Sequence, residues 1–183
     1  IGLRKKHNLP LQKKIILFSS SDIKDERKGI KYFIKIANHF KNDASFYFVT
    51  LGNSKNINLS IKNKNYSHIE FLSHNKSAEI YSLSDFYVCT SIIDNLPLTI
   101  LESMSSGLPV ITFDNGGSKE AVMDNGYIVK NRDYQAIIKI LSNLKKKQVQ
   151  RLSKKSRIFA LNNFHPSKIA NNYIKIFQNI NKN

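Results

Sequence analysis

The sequence predicts an α/β protein: a single Rossmann-like domain whose doubly wound parallel sheet of about six strands has helices on both faces and C-terminal helices. Three observations support this fold class. Short apolar runs, such as the IILF of residues 15–18, are typical of strands covered on both faces. Segments with helical spacing of apolar residues alternate with these runs, as in βαβ units. The length of 183 residues suits one domain with a substantial core.

The predicted elements alternate between strand and helix from residue 14 onward. Six apolar segments are expected to be strands: residues 14–18, 46–50, 68–72, 85–89, 109–113 and 127–129. Apolar spacing or terminal signals predict the helices: residues 28–40, 77–83, 97–106, 133–143, 148–162 and 167–180. The polar segment 19–27 is predicted to be a loop, and the Asn- and Lys-rich segment 52–66 to be loop or edge material.

Proline, glycine and aspartate mark the ends of two of these helices. Pro97 suits a helix first turn, where its missing N–H would have no partner. Gly107 suits the left-handed position after a helix, and Pro109 prevents continuation. Asp133 suits the N-cap of the helix that follows it.

Composition and organisation indicate an intracellular protein. Residues 1–12 are basic and without a clear period, so they are expected to be an interdomain linker or truncated element before a domain over 13–183. Cys89 is the only cysteine and lies in a predicted buried strand, which favours a core thiol and a reducing compartment. No signal peptide opens the chain, and no apolar run approaches the roughly 18 residues of a membrane span. The expected location is the cytoplasm.

The net charge of +16 is unusual, and three explanations for it stay open. They are a solvated helix surface, attraction to an anionic membrane or substrate, and nucleic-acid binding. Nucleic acid is the least favoured because no aromatic residues interleave with the basic ones. Basic residues are densest in the C-terminal third: Lys139, Lys145, Lys146, Lys147, Arg151, Lys154, Lys155 and Arg157. Peripheral contact with the inner face of the cell membrane is therefore a further expectation.

Candidate chemistry concentrates in residues 90–112, which are predicted to run from a strand end through a loop and a helix to the next strand. The helix N-terminus favours an anion, because its free N–H groups and its dipole point out of it. Asp94 in the loop and Glu102 in the helix are able to accept sugar hydroxyls, while the N–H groups of Leu98 and Thr99 face a phosphate. The alternative is that these acids only stabilise the helix start and the solvated surface.

The sequence lacks the patterns that are typical of dinucleotide, P-loop, metal and nucleophile sites. Ligands of open parallel sheets bind at the carboxyl ends of the strands. No Gly-x-Gly-x-x-Gly or Gly-x-x-x-x-Gly-Lys-Ser/Thr sequence follows a predicted strand there. The histidines show no metal-ligand spacing, and no nucleophile elbow occurs. The rim candidates are residues 27–28, 73–76, 94–99 with Glu102, and 115–117.

Several segments resemble the core of the group 1 (family 4) glycosyltransferases of GT-B architecture. These are residues 85–91 (DFYVCTS), 94–102 (DNLPLTILE) and 103–112 (SMSSGLPVIT). Residues 114–120 (DNGGSKE) and 125–129 (NGYIV) are similar to that family's Gly-Gly-x-x-Glu and Asn-Gly-x-x-Val segments. The resemblance covers nearly the whole chain. It implies the C-terminal, nucleotide-sugar-binding half of a two-domain enzyme.

The resemblance also implies roles for matching positions. Asp94 takes the first place of the family's Glu-x7-Glu motif, near the donor sugar, and Glu102 takes the second, at the ribose hydroxyls. Lys28 would neutralise the diphosphate. The other expected donor-binding positions are Arg27, the motif residues Asn95, Leu96, Pro97, Leu98 and Thr99, and Phe71, Leu72 and Ser73 along the base.

The sequence departs from the family pattern in three places. The first acid of the motif is Asp94 rather than glutamate. Residues 19–21 are serines where the family has Gly-Arg after the first strand, so Arg27 or Lys24 becomes the candidate for the missing phosphate ligand. Ser73 replaces the glycine that follows the base-binding strand end.

The implied function is transfer, with retention, of a sugar from a UDP- or GDP-sugar to a glycan or lipid-linked acceptor, as in bacterial surface polysaccharide or lipopolysaccharide synthesis. No metal or other cofactor is expected, and the domain is expected to be inactive without its N-terminal acceptor-binding domain. Two alternatives stay open. One is a basic binding module for an anionic membrane or nucleic-acid surface; the other is a different GT-B enzyme, such as an epimerase or phosphorylase.

Overall fold

Six parallel strands form one sheet in the computed structural model, which describes residues 2–54, 59–70 and 73–180. The strands are β1 (Lys14–Asp22), β2 (Phe46–Asn53), β3 (Tyr66–Ile69), β4 (Phe86–Cys89), β5 (Val110–Phe113) and β6 (Tyr127–Val129). Their order is β3-β2-β1-β4-β5-β6, and all neighbours are parallel. Strands β2 and β3 are added on one side of β1, and β4, β5 and β6 on its other side. The order of strand addition therefore reverses between β1 and β4, and such a switch point is where sheets of this kind bind ligands.

Helices cover both faces of the sheet, which confirms the predicted doubly wound fold. They are α1 (Gly2–Lys6), α2 (Ile30–His39), α3 (His74–Leu83), α4 (Leu98–Ser105), α5 (Gly116–Val122), α6 (Tyr134–Ser142), α7 (Lys146–Phe164) and α8 (Pro166–Ile180). Alternate strand residues face opposite sides. Ile15 and Leu17 therefore pack with α3, α4, α5 and α7, whereas Ile16 and Phe18 pack with α2 and α6.

The first strand is longer than predicted. It continues to Asp22 and stays paired with β2, so the predicted loop over residues 19–27 was wrong up to that point. Ser19 and Ser20 are buried, and their hydroxyls have partners inside the fold. Ser20 Oγ donates to Asp22 O at 2.6 Å, and Ser19 Oγ lies 2.7 Å from Tyr81 Oη. Because these hydroxyls are hydrogen-bonded, a polar sequence is able to form the buried end of this strand.

Two other segments differ from the prediction. The edge strand β3 begins and ends earlier than the predicted strand over 68–72, because Tyr66 and Ser67 already pair with β2. Residues 71 and 72 lie outside the described part of the chain. The helix α5 was not predicted, since residues 115–117 were expected to remain a loop and its two leading glycines lower helix propensity.

The short helix α1 is fastened to the start of the sheet. The Arg4 guanidinium donates to the carbonyl oxygens of Leu83 at 2.8 Å and Lys13 at 3.1 Å, and to the Asp85 carboxylate at 3.1 Å. The role of residues 1–12 as a link to another domain stays a prediction. In the described part of the chain, no helix has the length and apolar character that crossing a bilayer requires.

The last helix exposes its apolar residues. α8 has the predicted amphipathic pattern, but it contains no buried side chain. The exposed fraction is above one half at five of its large apolar positions: Tyr173, Ile174, Ile176, Phe177 and Ile180.

Asp133 caps α6 as predicted, and its replacement tests that contact. Its Oδ1 accepts a hydrogen bond from Ala136 N at 3.0 Å. We expect Asp133→Ala to lower the free energy of unfolding by about 1 kcal/mol, because one N–H of the first turn loses its partner. Urea unfolding measures the difference. Asp133→Asn, which keeps the oxygen acceptor, should stay close to the original protein, and equal losses in both variants would contradict the capping role.

Candidate functional site

A cavity of about 790 Å³ opens at the carboxyl ends of β1 and β4, beside the N-terminus of α4. Its polar lining comes from elements that are distant in sequence: Ser19, Lys28, Tyr81, Asp94, Thr99 and Glu102. Apolar side chains, among them Leu51 and Leu101, complete the wall. The cavity therefore lies at the predicted switch point and combines a cation, two carboxylates and several hydroxyls.

Lys28 and Asp94 form an ion pair inside the cavity. Lys28 Nζ lies 2.5 Å from Asp94 Oδ2, and the two side chains are only 29% and 14% exposed. Lys28 ends a turn of 3-10 helix, and Gly29 follows it with a φ of 69°. A Cβ at Gly29 would lie 2.0 Å from the carbonyl oxygen of Thr90, so only glycine fits between this turn and the end of β4. The close approach brings the lysine to the loop that carries Asp94.

Two glycines allow α5 to pack against that same loop. A Cβ at Gly116 would lie 2.2 Å from Asp94 O, and one at Gly117 would lie 1.8 Å from Asn95 O. Both distances are shorter than any real contact of a Cβ atom. The Gly-Gly pair is therefore a packing requirement of the loop that holds Asp94, and it explains why α5 begins with residues of low helix propensity.

The N-terminus of α4 has uncapped N–H groups next to the ion pair. Pro97 occupies the N-cap position and provides no side-chain hydrogen bond. The N–H groups of Leu98 and Thr99 donate to no atom in the part of the chain that the structure describes. They and the helix dipole favour an anion at this point. The helix ends before Gly107, whose φ of 75° is the predicted left-handed conformation.

Glu102 is held by a buried tyrosine. Tyr81 Oη donates to Glu102 Oε2 at 3.0 Å and lies 2.7 Å from Ser19 Oγ. Tyr87 Oη donates to Thr99 Oγ1 at 2.7 Å and lies 3.4 Å from Ser19 Oγ. Burial raises the pKa of both tyrosines, so both phenols stay protonated and act as donors at neutral pH.

Comparison with known proteins assigns the family. The sequence matches the family described as Glycosyl transferases group 1 over residues 2–163. The chain belongs to this family. Among curated proteins, spore coat protein SA of Bacillus subtilis (strain 168) is 33% identical over 122 residues, which are 61% of this chain and 32% of that protein.

Solved structures share the fold of this glycosyltransferase domain. Sucrose-phosphate synthase from Thermosynechococcus elongatus superposes with a TM-score of 0.81 at 21% identity, over 97% of this chain and 48% of that one. The C-terminal domain of LpcC, a glycosyl transferase group 1 family protein from Francisella tularensis, gives a TM-score of 0.75 at 23% identity, over 89% and 91% of the two chains. The chain thus spans about a third of the curated relative, about half of the synthase and most of the isolated LpcC domain.

The structure brings most of the predicted site residues of this glycosyltransferase domain together. The cavity is lined by Lys28, Asp94, Leu96, Pro97, Leu98, Thr99 and Glu102. Asn95 and Ser73 are exposed and do not line it. Phe71 and Leu72 lie outside the described residues. The assignment of these positions to donor binding stays a prediction. The residues that line the cavity are those that could contact one ligand together.

The candidates for the missing phosphate-binding arginine lie elsewhere. The Arg27 side chain is 72% exposed and forms a two-point ion pair with Asp25, with Nη2 2.7 Å from Oδ2. Neither Arg27 nor Lys24 lines the cavity. Residues 19–21, which replace the family's Gly-Arg, do line it. Lys28 is consequently the described cation that the structure places at the site.

Tyr81 was missed by reasoning from the sequence. A buried tyrosine needs a partner for its hydroxyl, and Tyr81 lies within a segment that was correctly predicted as helix. Its partner Glu102 is 21 positions away, on a helix whose packing against α3 no local pattern reveals. The residue type indicates that the Tyr81 hydroxyl needs a partner if it is buried. The sequence does not indicate that this partner is Glu102.

Neither a metal site nor a reactive cysteine is supported by the described residues. No group of three or more histidine, cysteine, aspartate or glutamate side chains in that part of the chain is placed to hold a metal ion. Cys89 is buried in β4, and burial raises the pKa of its thiol. The prediction of a packed core thiol is confirmed.

Proposed function

We propose that this domain is the donor-binding half of a retaining glycosyltransferase, which transfers a sugar from a UDP- or GDP-sugar to a glycan or lipid-linked acceptor. One observation carries the proposal: Lys28, the uncapped start of α4 and Glu102 line the same cavity. A diphosphate requires positive charge and N–H donors, and ribose hydroxyls require acceptors. Membership of the group 1 glycosyltransferases supports a nucleotide-sugar donor.

The proposed chemistry depends on stabilising the departing diphosphate. Sugar transfer passes through an oxocarbenium-like state while negative charge grows on the leaving oxygen. Lys28 exchanges its ion pair with Asp94 for the phosphates, and the N–H groups of Leu98 and Thr99 add fixed donors. Asp94 then orients the donor sugar and does not act as a covalent nucleophile. The lysine and the helix dipole supply the charge stabilisation, so the proposal requires no metal.

The acceptor is proposed to bind an N-terminal partner domain. The match to nearly all of an isolated C-terminal domain, and to about half of a longer enzyme, supports this division. The isolated domain should bind donor and transfer little sugar. The relative named as a spore coat protein supports a product at a bacterial surface. A cytoplasmic site with peripheral membrane contact is proposed from the exposed basic residues of α7: Lys146, Lys147, Arg151, Lys154, Lys155 and Arg157.

Calorimetric titration of the domain with UDP, GDP and their sugars tests the proposal. Saturable binding at or below millimolar concentration, carried by the diphosphate nucleotides, is expected. No heat of binding at millimolar ligand, with the fold intact by circular dichroism, would overturn it. Binding that survives Glu102→Ala and falls steeply with salt would instead favour the basic binding module.

Replacing Lys28 tests the cation at the diphosphate. We expect Lys28→Met to weaken binding of UDP or GDP by about 10- to 100-fold, because charge-assisted hydrogen bonds to phosphate are lost. The nucleoside without phosphate should bind both proteins equally weakly. Lys41→Met, which removes an exposed lysine outside the cavity, is the matched control. Equal loss in the two variants would indicate a general charge effect and contradict a specific phosphate contact.

A further inference from the structure

A chain of hydroxyl groups lies in the wall of the cavity and links four elements of the domain. Tyr81 on α3 connects Ser19 of β1 to Glu102 of α4, and Tyr87 of β4 connects to Thr99 of α4. Tyr81 and Tyr87 are 3% and 1% exposed, and Ser19 is 7% exposed. The rings of the two tyrosines also pack edge to face, with centroids 6.0 Å apart. The network is therefore packed into the core and ends at Thr99 and Glu102, which both line the cavity.

The distances fix the direction of each hydrogen bond. A carboxylate only accepts, so Tyr81 Oη must donate its single proton to Glu102 Oε2. Ser19 Oγ, 2.7 Å from Tyr81 Oη, must then donate to it. Tyr87 Oη donates along its shorter contact, to Thr99 Oγ1 at 2.7 Å. The hydroxyl protons of Ser19, Tyr81 and Tyr87 are thus assigned, and the bond that reaches Glu102 is a charge-assisted one.

This arrangement leaves one carboxylate oxygen of Glu102 for a ligand. Oε2 is occupied by Tyr81, whereas Oε1 accepts from no group in the described part of the chain. Glu102 lines the cavity and is exposed to it, so a long side chain would otherwise sample several rotamers. The bond from a buried, immobile donor selects one of them. Oε1 then presents its lone pairs to the cavity at a fixed place, as a pair of neighbouring hydroxyls requires.

We propose that Tyr81 is a positioning residue that aims Glu102 Oε1 at the two neighbouring ribose hydroxyls of the donor nucleotide and so makes the site selective for ribonucleotides. The inference rests on the proposed function, since it assumes that a nucleotide occupies the cavity. It goes further because it makes the selectivity depend on Tyr81, which does not contact the ribose oxygens that Glu102 binds. Selectivity for the hydroxyls then depends on a hydrogen bond from the core.

The test compares the domain with its Tyr81→Phe variant, by calorimetric titration with UDP and GDP and with their 2′-deoxy and 3′-deoxy counterparts. We expect Tyr81→Phe to weaken binding of the ribonucleotides by about 10-fold and that of the deoxynucleotides by less than about 2-fold. The ratio between the two should therefore fall. Thermal unfolding checks that the variant is folded, and Tyr47→Phe, which removes a tyrosine hydroxyl outside the cavity, is the control.

A double-mutant cycle separates positioning from a structural role. In a Glu102→Gln background, Tyr81→Phe should change ribonucleotide binding by less than about 2-fold, because the aimed carboxylate is already gone. Undiminished discrimination between ribo- and deoxynucleotides in Tyr81→Phe would overturn the inference and leave the proposed function standing. Equal weakening of both nucleotide types would overturn it too. Failure of the original protein to bind any nucleotide would overturn both.

Discussion

Exchanging Glu102 for glutamine should weaken binding of UDP or GDP by about 100-fold, the loss expected when hydrogen bonds from two hydroxyls to one carboxylate disappear. The amide has one oxygen and one NH2 group. Because Tyr81 Oη needs an acceptor, the amide oxygen turns to the tyrosine and the NH2 group faces the ribose. The variant thus keeps the shape of the side chain and replaces an acceptor by a donor at the ligand.

Calorimetric titration of the nucleotides measures this effect. The matched control is Asp124→Asn, which neutralises an exposed carboxylate outside the cavity and should leave the affinity unchanged. Nucleosides that carry no phosphate should lose affinity in Glu102→Gln as well, which distinguishes a ribose contact from a long-range effect on the diphosphate. Unaltered nucleotide affinity in Glu102→Gln would contradict a contact between Glu102 and the donor.

Gly117→Ala is expected to lower the free energy of unfolding by about 3 kcal/mol, the upper part of the usual range for overpacking. The new Cβ would lie 1.8 Å from Asn95 O, which is a backbone atom and has no side-chain rotation with which to move aside. The loop that carries Asp94 and Leu96 must shift instead. Nucleotide binding should therefore weaken together with stability.

Urea unfolding and nucleotide titration of the same variant measure the two effects. Gly2→Ala is the control, because a Cβ there meets nothing within 4 Å and alanine favours the helix α1. A Gly117→Ala protein that is as stable as the original would show that α5 does not press on the loop. Lost stability with full nucleotide affinity would show that the loop position is unimportant for the donor.

The fold was predictable because the strands are dense in apolar residues. Runs such as residues 14–18 indicate strands covered on both faces, and the helices between them leave few alternatives to a parallel sheet. The end of β1 was not predictable, because the buried hydroxyl of Ser19 finds its partners in the distant Tyr81 and Tyr87. The start of α5 was not predictable either, since its glycines are required by a contact with a distant loop.

The site was predictable where its residues follow one another along the chain. Asp94, Leu98, Thr99 and Glu102 lie on one loop and the helix after it, so their proximity follows from the local pattern. The direction of a side chain in an irregular turn does not follow from the pattern. Arg27 therefore turns to Asp25 and solvent, and its neighbour Lys28 turns into the cavity.

A crystal structure of the domain with bound UDP or GDP tests the donor site most directly. From the proposed function we expect the diphosphate to lie against Lys28 Nζ and the N–H groups of Leu98 and Thr99, with the ribose hydroxyls on Glu102 Oε1. The ion pair of Lys28 with Asp94 should open or rearrange as the phosphates arrive. A nucleotide bound outside the cavity, or bound in it with the ribose turned away from Glu102, would contradict the proposed donor site.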